Sequence, residues 1–361
     1  MNPYMISIAA LALVGLSLFA CSTPRLELSD HSDGKKYFNQ DPNVTVGKSL
    51  LQVLKWKFTG DLKEWPDFVK DNVAPDFTRD LAEGEGAVTF INHASELIQF
   101  KDLTVITDPV FSERVSPVSW FGPKRHRDPG ATLDNLPKID FVLVSHNHYD
   151  HLDLDSLTAI NKRDHPTFIV PLGNRTLLEG EGIESIVELD WWQNHKTSNG
   201  SLITLVPMQH WSARGIFDRF EMLWGGFVIS SSELKVLFTG DTAYNRQFKD
   251  IAEKLGTMDL SILPIGAYEP RWFMREQHMD PQDAVRAHLD LKSNLSIGTH
   301  YGTFQLTDEG IEDPITELSK ALAEDDSGGE DAETLLRTHV PDHLAGSPLC
   351  PLDVRNRTGG K

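Results

Sequence analysis

Residues 145–151 read Ser-His-Asn-His-Tyr-Asp-His, which places four side chains able to bind a metal, His146, His148, Asp150 and His151, within one short loop. The segment directly before it, Asp140-Phe-Val-Leu-Val144, is an apolar run that reads as a buried strand. A loop leaving such a strand can turn several short side chains toward one point, as a pair of metal ions requires. Imidazole and carboxylate suit zinc and similar divalent cations. Three later residues repeat the arrangement. His210 follows Leu202-Ile-Thr-Leu-Val206, Asp241 closes Val236-Leu-Phe-Thr-Gly-Asp241, and His300 closes Leu295-Ser-Ile-Gly-Thr-His300. A lone strand-end histidine is usually hydrogen-bonded structure. Four strand ends that each finish in a metal-competent residue form a site of the kind that α/β sheets carry at their strand ends.

The elements that must hold these loops follow from the apolar pattern. Val88–Ile91, Leu97–Phe100 and Leu103–Ile106 predict strands, the last two joined as a hairpin across Lys101-Asp102. Thr167–Val170, Phe220–Ile229, Leu234–Phe238 and Leu260–Leu263 predict further strands. Asp153–Asn161 and Phe248–Leu255 predict helices. Asp280 and Pro281 supply an N-cap and a proline at the first helical position of another, which runs to about Leu291. Ahead of this core, Val46–Pro75 has apolar residues at mixed helical spacing. It reads as an arm packed on the core, placed so that it could cover the site.

The combination His-x-His-x-Asp-His with later His, Asp and His resembles the metallo-β-lactamase superfamily. Thr107-Asp-Pro-Val-Phe, Gly122-Pro-Lys-Arg-His, Gly266-Ala-Tyr-Glu-Pro-Arg-Trp-Phe-Met and His300-Tyr-Gly-Thr-Phe narrow the likeness. These stretches resemble the N-acylphosphatidylethanolamine-hydrolysing phospholipase D branch and its bacterial relatives. The resemblance implies a single-domain αββα sandwich carrying an N-terminal arm. It implies that His146, His148 and His210 hold one divalent ion, that Asp150, His151 and His300 hold a second, and that Asp241 bridges them. Zinc is the expected metal, because His148 stands where the diiron branch usually carries glutamate. Two cations about 3.5–4 Å apart lower the pKa of a shared water, so a hydroxide serves as nucleophile. No Gly-x-Ser-x-Gly elbow supplies a protein nucleophile instead.

Further roles follow from the same resemblance. Asp150, Asp241 and His278 are expected at the reaction itself, with His278 a candidate proton donor to the leaving oxygen. Tyr149 and His278 look like headgroup contacts. Arg125, within a basic cluster of Arg114, Lys124, Arg125 and Arg127 around Trp120-Phe121, fits a phosphate beneath an acyl chain. Asp108 fits either a carboxylate that orients a ligand histidine or a turn cap before Pro109. His93 fits a support for the metal site or an ordinary core histidine. The implied activity is phosphodiester hydrolysis of N-acylphosphatidylethanolamine-like lipids. A lactonase or other ester hydrolase on the same fold, or a non-catalytic metal-binding lipoprotein of the envelope, are the alternatives.

Composition limits the partners. The formal net charge of −19 repels polyphosphate, so nucleic acid is excluded as a partner. Oligomeric state is left open. Residues 5–20 are uncharged and apolar but too short for the roughly 20 residues that span a bilayer, so they read as an export signal. Leu18-Phe-Ala-Cys21 resembles a bacterial lipobox, which makes Cys21 the expected lipidation site and the membrane a partner through that anchor. Cys350 is then left without a disulfide partner. The expected organisation is a signal at 1–20, a lipid-anchored tether at 21–45, an arm at 46–86, the hydrolase domain at 87–323, and an acidic loop and tail at 324–361. The expected location is the bacterial envelope, on the periplasmic side of the outer membrane.

Overall fold

A computed structural model describes residues 28–44, 46–70, 77, 81–324 and 336–337. The proposed signal, Cys21 and Cys350 lie outside them. The described residues open with a small hairpin, β1 (Leu28–Ser29) and β2 (Ser32–Asp33), and a helix, α1 (Leu50–Thr59). Ser49 caps α1 in a reciprocal box with Gln52. Next, β3 (Gly86–Asn92), β4 (Ser95–Phe100) and β5 (Leu103–Thr107) form an antiparallel meander. β6 (Phe141–Leu143), β7 (Thr167–Pro171) and β8 (Ile186–Leu189) add parallel to β5, giving a six-stranded sheet in sequential order. Helices α2 (Leu154–Asp164) and α3 (Arg175–Gly180) connect those parallel strands.

The second sheet repeats the logic. β9 (Asn194–Lys196), β10 (Leu202–Val206), β11 (Gly226–Ser230) and β12 (Lys235–Phe238) are antiparallel, and β13 (Leu260–Pro264), β14 (Leu295–Thr299) and β15 (Leu336–Arg337) continue in parallel. Helices α4 (Gln247–Leu255), α5 (Arg271–Met274), α6 (Pro281–Leu291) and α7 (Asp313–Glu324) complete the order. The reversals at β11 leave β10, β12, β13 and β14 pointing the same way. Their C-terminal ends therefore open on one edge.

Alternation along the first sheet explains why its strands are apolar on both faces. Ile98, Val105, Leu143 and Ile169 join Ile203, Leu205, Phe227, Leu237 and Ile262 in the core between the sheets. Their neighbours Leu97, Ile106, Val142 and Phe168 face outward onto Leu157 and Ile160 of α2 and Leu178 of α3. Phe248, Ile251, Ala284, Ala287, Leu291, Leu318 and Ala321 bring α4, α6 and α7 to the second sheet. The result is the expected αββα sandwich.

Departures from the sequence reading are local. Phe220–Ile229 is not one strand: β11 starts at Gly226, because Phe220 turns with φ 66° and Gly226 passes so close to Phe238 that a Cβ would meet its carbonyl at 2.7 Å. The short strands β8 and β9 carried no usable pattern. Helix α1 ends at Gly60, and residues 61–70 continue without a helix. The arm is nevertheless docked. Trp56 packs on Phe273 and Met274, and its Nε1 donates to Asp308 at 2.9 Å. Trp65 Nε1 donates to the Glu309 carbonyl at 2.8 Å, and Gln305 reaches the Lys63 carbonyl at 2.6 Å.

Residues 28–44 are folded, not a tether. His31 is buried between Asp30 and Asp190, at 2.6 and 2.8 Å, and stacks on Trp191, while Tyr37 enters the main core. β15 likewise places two residues of the expected tail against β14. Helix α1 supplies a test of docking. Trp56→Ala should cost about 3 kcal/mol in thermal unfolding, as large-to-small changes at buried aromatics do. Phe58→Ala, 84% exposed on the same helix, should stay within about 0.5 kcal/mol. Equal shifts would mean that Trp56 is not the anchor.

Candidate metal centre

Strand ends from both sheets build the site. His146, His148, Asp150 and His151 follow β6, while His210, Asp241 and His300 follow β10, β12 and β14. Two close approaches let the loops meet. A Cβ on Gly240 (φ 59°) would strike the Ser145 side chain at 2.4 Å, and one on Gly266 would strike the His300 carbonyl at 2.1 Å. Arg214 braces the metal loop by donating to the carbonyls of Asn147 and Leu152 at 3.0 and 2.8 Å. His93, Asp108 and His300 all adopt positive φ, at 48°, 33° and 62°. Such backbone is costly for non-glycine residues and persists where the surroundings dictate it.

Seven expected ligands converge as two clusters. His146, His148, His210 and Asp241 offer one donor set; Asp150, His151 and His300, with His93 alongside, offer the other. His146 Nε2 lies 2.8 Å from His148 Nδ1, which lies 3.2 Å from His210 Nε2. His300 Nε2 lies 3.1 Å from His151 Nε2 and 3.3 Å from Asp150 Oδ2. Asp241 stands between the clusters. Its Oδ2 is 3.7 Å from His210 and 3.2 Å from His151, and its Oδ1 is 3.1 Å from His300.

Proton counting tests whether metal ions fit. Ser145 has one hydroxyl proton, and it donates to Asp108 Oδ2 at 2.6 Å. Its oxygen must then accept from His146 Nδ1, 2.9 Å away, which leaves His146 Nε2 with a bare lone pair. His210 Nδ1 donates to the Gln277 carbonyl at 2.9 Å, which bares its Nε2 as well. His151 Nδ1 donates to Asp108 at 2.6 Å and aims its Nε2 inward. His148 Nδ1 faces both bare nitrogens and can give a proton to only one of them, so a lone pair is left for a cation. The donor clusters fit metal binding.

The electrostatics agree. Burial, then the neighbouring imidazoles, hold His146 and His148 well below the usual histidine range, and burial takes His210 down to about 4. Metal ligands must be neutral imidazoles, so this burial prepares them. Burial also opposes ionisation of Asp150 and Asp241, but the surrounding histidines, His151 foremost, outweigh it and keep both acids well below the carboxylate norm. Burial lowers His151 too, yet Asp241, Asp150 and Asp108 together hold it well above the imidazole norm. Three carboxylates around one imidazole form a negative cage, which a divalent ion would neutralise.

The remaining sequence candidates divide. Asp108 is fully buried and accepts from His151, Ser145 N and Ser145 Oγ, so it ties His151 to Ser145 and is more than a turn cap. His93 is buried with Nε2 3.2 Å from Asp150 Oδ2. Tyr149 and His278 line a pocket of about 360 Å³ over the metal residues, with Val115, Trp211, Met274 and Leu306 among its apolar walls. Burial takes His278 down to about 3, which makes it a neutral imidazole and not a charged acid. Arg125 does not reach this pocket. It is buried, donates to the carbonyls of Val110, Ser112 and Arg127, and lies over the Phe304 ring, because an interior loop had unpaired carbonyls to satisfy. The arginine that does line the pocket is Arg214, stacked 4.0 Å over Tyr149. Sequence gave no signal for Arg214, nor for Asn39, whose amide brackets the His210 backbone through contacts of 2.9 and 3.0 Å.

A family model described as the Beta-lactamase superfamily domain matches residues 104–301, which include every ligand candidate except His93. The chain belongs to the metallo-β-lactamase superfamily. Within it, the chain is 39% identical over 245 residues to an N-acyl-phosphatidylethanolamine-hydrolyzing phospholipase D 1 of Caenorhabditis elegans, spanning 65% of this chain and 69% of that one. It is 34% identical over 242 residues to a mitochondrial N-acyl-phosphatidylethanolamine-hydrolyzing phospholipase D of Saccharomyces cerevisiae, covering 65% of this chain but only 51% of the yeast protein. A solved metallo hydrolase from Ignicoccus hospitalis shares the fold at TM-score 0.51 and 20% identity, covering 71% of this chain and 95% of its own. This superfamily member is thus a metal-dependent hydrolase resembling the N-acylphosphatidylethanolamine-hydrolysing branch.

Two substitutions separate orientation from bracing. Asp108→Asn replaces an acceptor that serves three donors with an amide that can satisfy fewer. It should keep the fold while metal affinity, measured by chelator competition, falls about 10–100-fold. Arg125→Ala should lower the melting midpoint and leave KM unchanged. A selective rise in KM for phosphodiesters would return Arg125 to the substrate site.

Proposed function

We propose that the chain is a two-zinc phosphodiesterase of phospholipase D type. It would hydrolyse N-acylphosphatidylethanolamine-like lipids to phosphatidic acid and an N-acylethanolamine. One observation carries this reading: the metal residues form the floor of a pocket with apolar walls, and the segments that line it expose large apolar side chains. Trp120 and Phe121 are 78% and 69% exposed in the loop that contributes Val115; Ile216 and Phe217, at 89% and 88%, follow Gly215. Leu51, Leu54 and Phe58 lie exposed on α1, whose Trp56 packs on the pocket residue Met274. Single exposed apolar residues mean little, but grouping on the segments of one pocket suits an amphiphilic substrate. The activities named for the nematode and yeast relatives support the same class.

His146, His148, His210 and Asp241 would hold one ion, and Asp150, His151 and His300, with Asp241, the other. When bound, such a pair supplies a water ionised at neutral pH and positive charge for the phosphoryl oxygens. The chain's own residues do the rest. Asp108 and Ser145 fix the ligand tautomers, and Tyr149 and His278 border the space above Asp241. His278 presents a ring nitrogen without a protein partner, 3.8 Å from Asp241, able to meet a substrate oxygen as a neutral group. Tyr149 donates to the Arg214 carbonyl at 2.9 Å, which holds its ring against the pocket. A neutral ester or lactone is the second reading. It is favoured by the turning away of Arg125 and by the commitment of Arg214 to backbone carbonyls.

Oxygen-18 water decides between them. Phosphorus attack should place the label in the phosphate of phosphatidic acid, whereas label confined to a carboxylate would replace the phosphodiesterase reading with the esterase one. Elemental analysis should find about two equivalents of zinc, and Asp241→Asn should weaken both. Fully active protein in excess chelator would remove the metal mechanism. Attachment to the bacterial envelope through lipid on Cys21 completes the proposal, resting on the apolar run and Leu18-Phe-Ala-Cys21. A single acyl chain binds only marginally, so stable anchoring needs more than one. Wild-type protein should take up a fatty-acid probe and sediment with membranes; Cys21→Ser protein should do neither.

A further inference from the structure

Glu96 is a fully buried acid on β4 that the metal centre does not use. Its Oε1 lies 2.8 Å from the hydroxyl of Thr299, the residue before His300. That hydroxyl lies 2.9 Å from the carbonyl of His93, and the same carbonyl accepts the His300 N–H at 2.7 Å. A backbone bridge between His93 and Tyr301 continues the contact. Both His93 and His300 sit at positive φ, 48° and 62°, so the cross-links between them maintain backbone that neither would adopt alone.

Thr299 has one proton for two oxygens. If it went to Glu96 as a carboxylate, a buried anion would stand with no cationic partner among the described residues, and its Oε2 would be unpaired. Unpaired buried charge is far more costly than an unpaired neutral oxygen. If the acid keeps its proton, the chain closes: the Glu96 O–H donates to Thr299, and the Thr299 O–H donates to the His93 carbonyl. Burial, opposed only by the Thr299 contact, pushes the Glu96 carboxyl well above the usual range.

We propose that Glu96 is a positioning residue: as a neutral carboxylic acid it drives the Thr299 hydroxyl onto the His93 carbonyl and so fixes the turn that presents His300 to the second metal cluster. This rests on the two-cluster reading of the site and is independent of which substrate is cleaved.

Glu96→Gln keeps the shape and a donor, since its amide can take the place of the acid O–H. Glu96→Leu keeps the volume but has none. With zinc as the probe in chelator competition, Glu96→Gln should bind the second equivalent within about 2-fold of wild type. Glu96→Leu should weaken that equivalent about 10–100-fold and spare the first. A glutamine variant as weak as the leucine variant, or a leucine variant with unaltered affinity, would overturn the proposal. Infrared difference spectra of wild type against Glu96→Gln, without metal at pH 8, provide the second arm. A protonated carboxyl carbonyl band lost in the variant is expected, and a lost carboxylate band would overturn it. That arm needs neither metal nor the leucine variant. It therefore decides the proton's position even if wild type binds a single ion and the two-ion reading fails.

Discussion

One buried carboxylate sets the directions of lone pairs in both metal clusters. Asp108 receives the Nδ1 proton of His151 directly. Through Ser145 it also forces the Nδ1 proton of His146 toward the serine oxygen. When both imidazoles are neutral, the same acid leaves bare the inward nitrogen of one residue from each cluster. Burial opposes its ionisation and raises its pKa, while His151 and the two Ser145 donors work against that rise. The geometry of the floor, and with it any chemistry in the pocket, follows from those contacts. Outer partners of this kind raise ligand basicity as well as fixing orientation.

Strand direction supplies the other half of the arrangement. His210, Asp241 and His300 leave β10, β12 and β14, which run the same way and so deliver all three to one edge of their sheet. β9 and β11 run against β10, β12, β13 and β14, and neither contributes a metal-competent residue to the site. The first sheet brings β5 and β6 in parallel to the same side, which puts Asp108 and His146 within reach of each other. Convergence is therefore a property of topology, and short side chains suffice to close the remaining gap.

What was legible in the sequence had a short-range cause. Each ligand ends an apolar run, and a strand end is marked locally by the change from buried to polar residues. The Asp280-Pro281 helix start was legible for the same reason, and α6 begins there. Arg125 was misread because a charged cluster beside aromatics looks alike whether it faces water or spans a loop's carbonyls. Arg214 and Asn39 were invisible because their roles depend on partners far away in sequence, Leu152 and His210. The boundaries of β11 depended on a left-handed Phe220, which no side-chain pattern announces.

The clamp of residues 28–44 changes what counts as the unit of function. Counting only what the two sheets need, the protein would begin near Gly86. Yet Asn39 holds both backbone groups of His210, and His31 locks that same stretch to Asp190. The piece of chain that supplies the two sheets is therefore shorter than the piece that also braces His210. Evolutionary trimming, proteolysis or a shifted translation start between those two limits would leave a molecule that looks intact from its core and has lost the brace on one of its ligands.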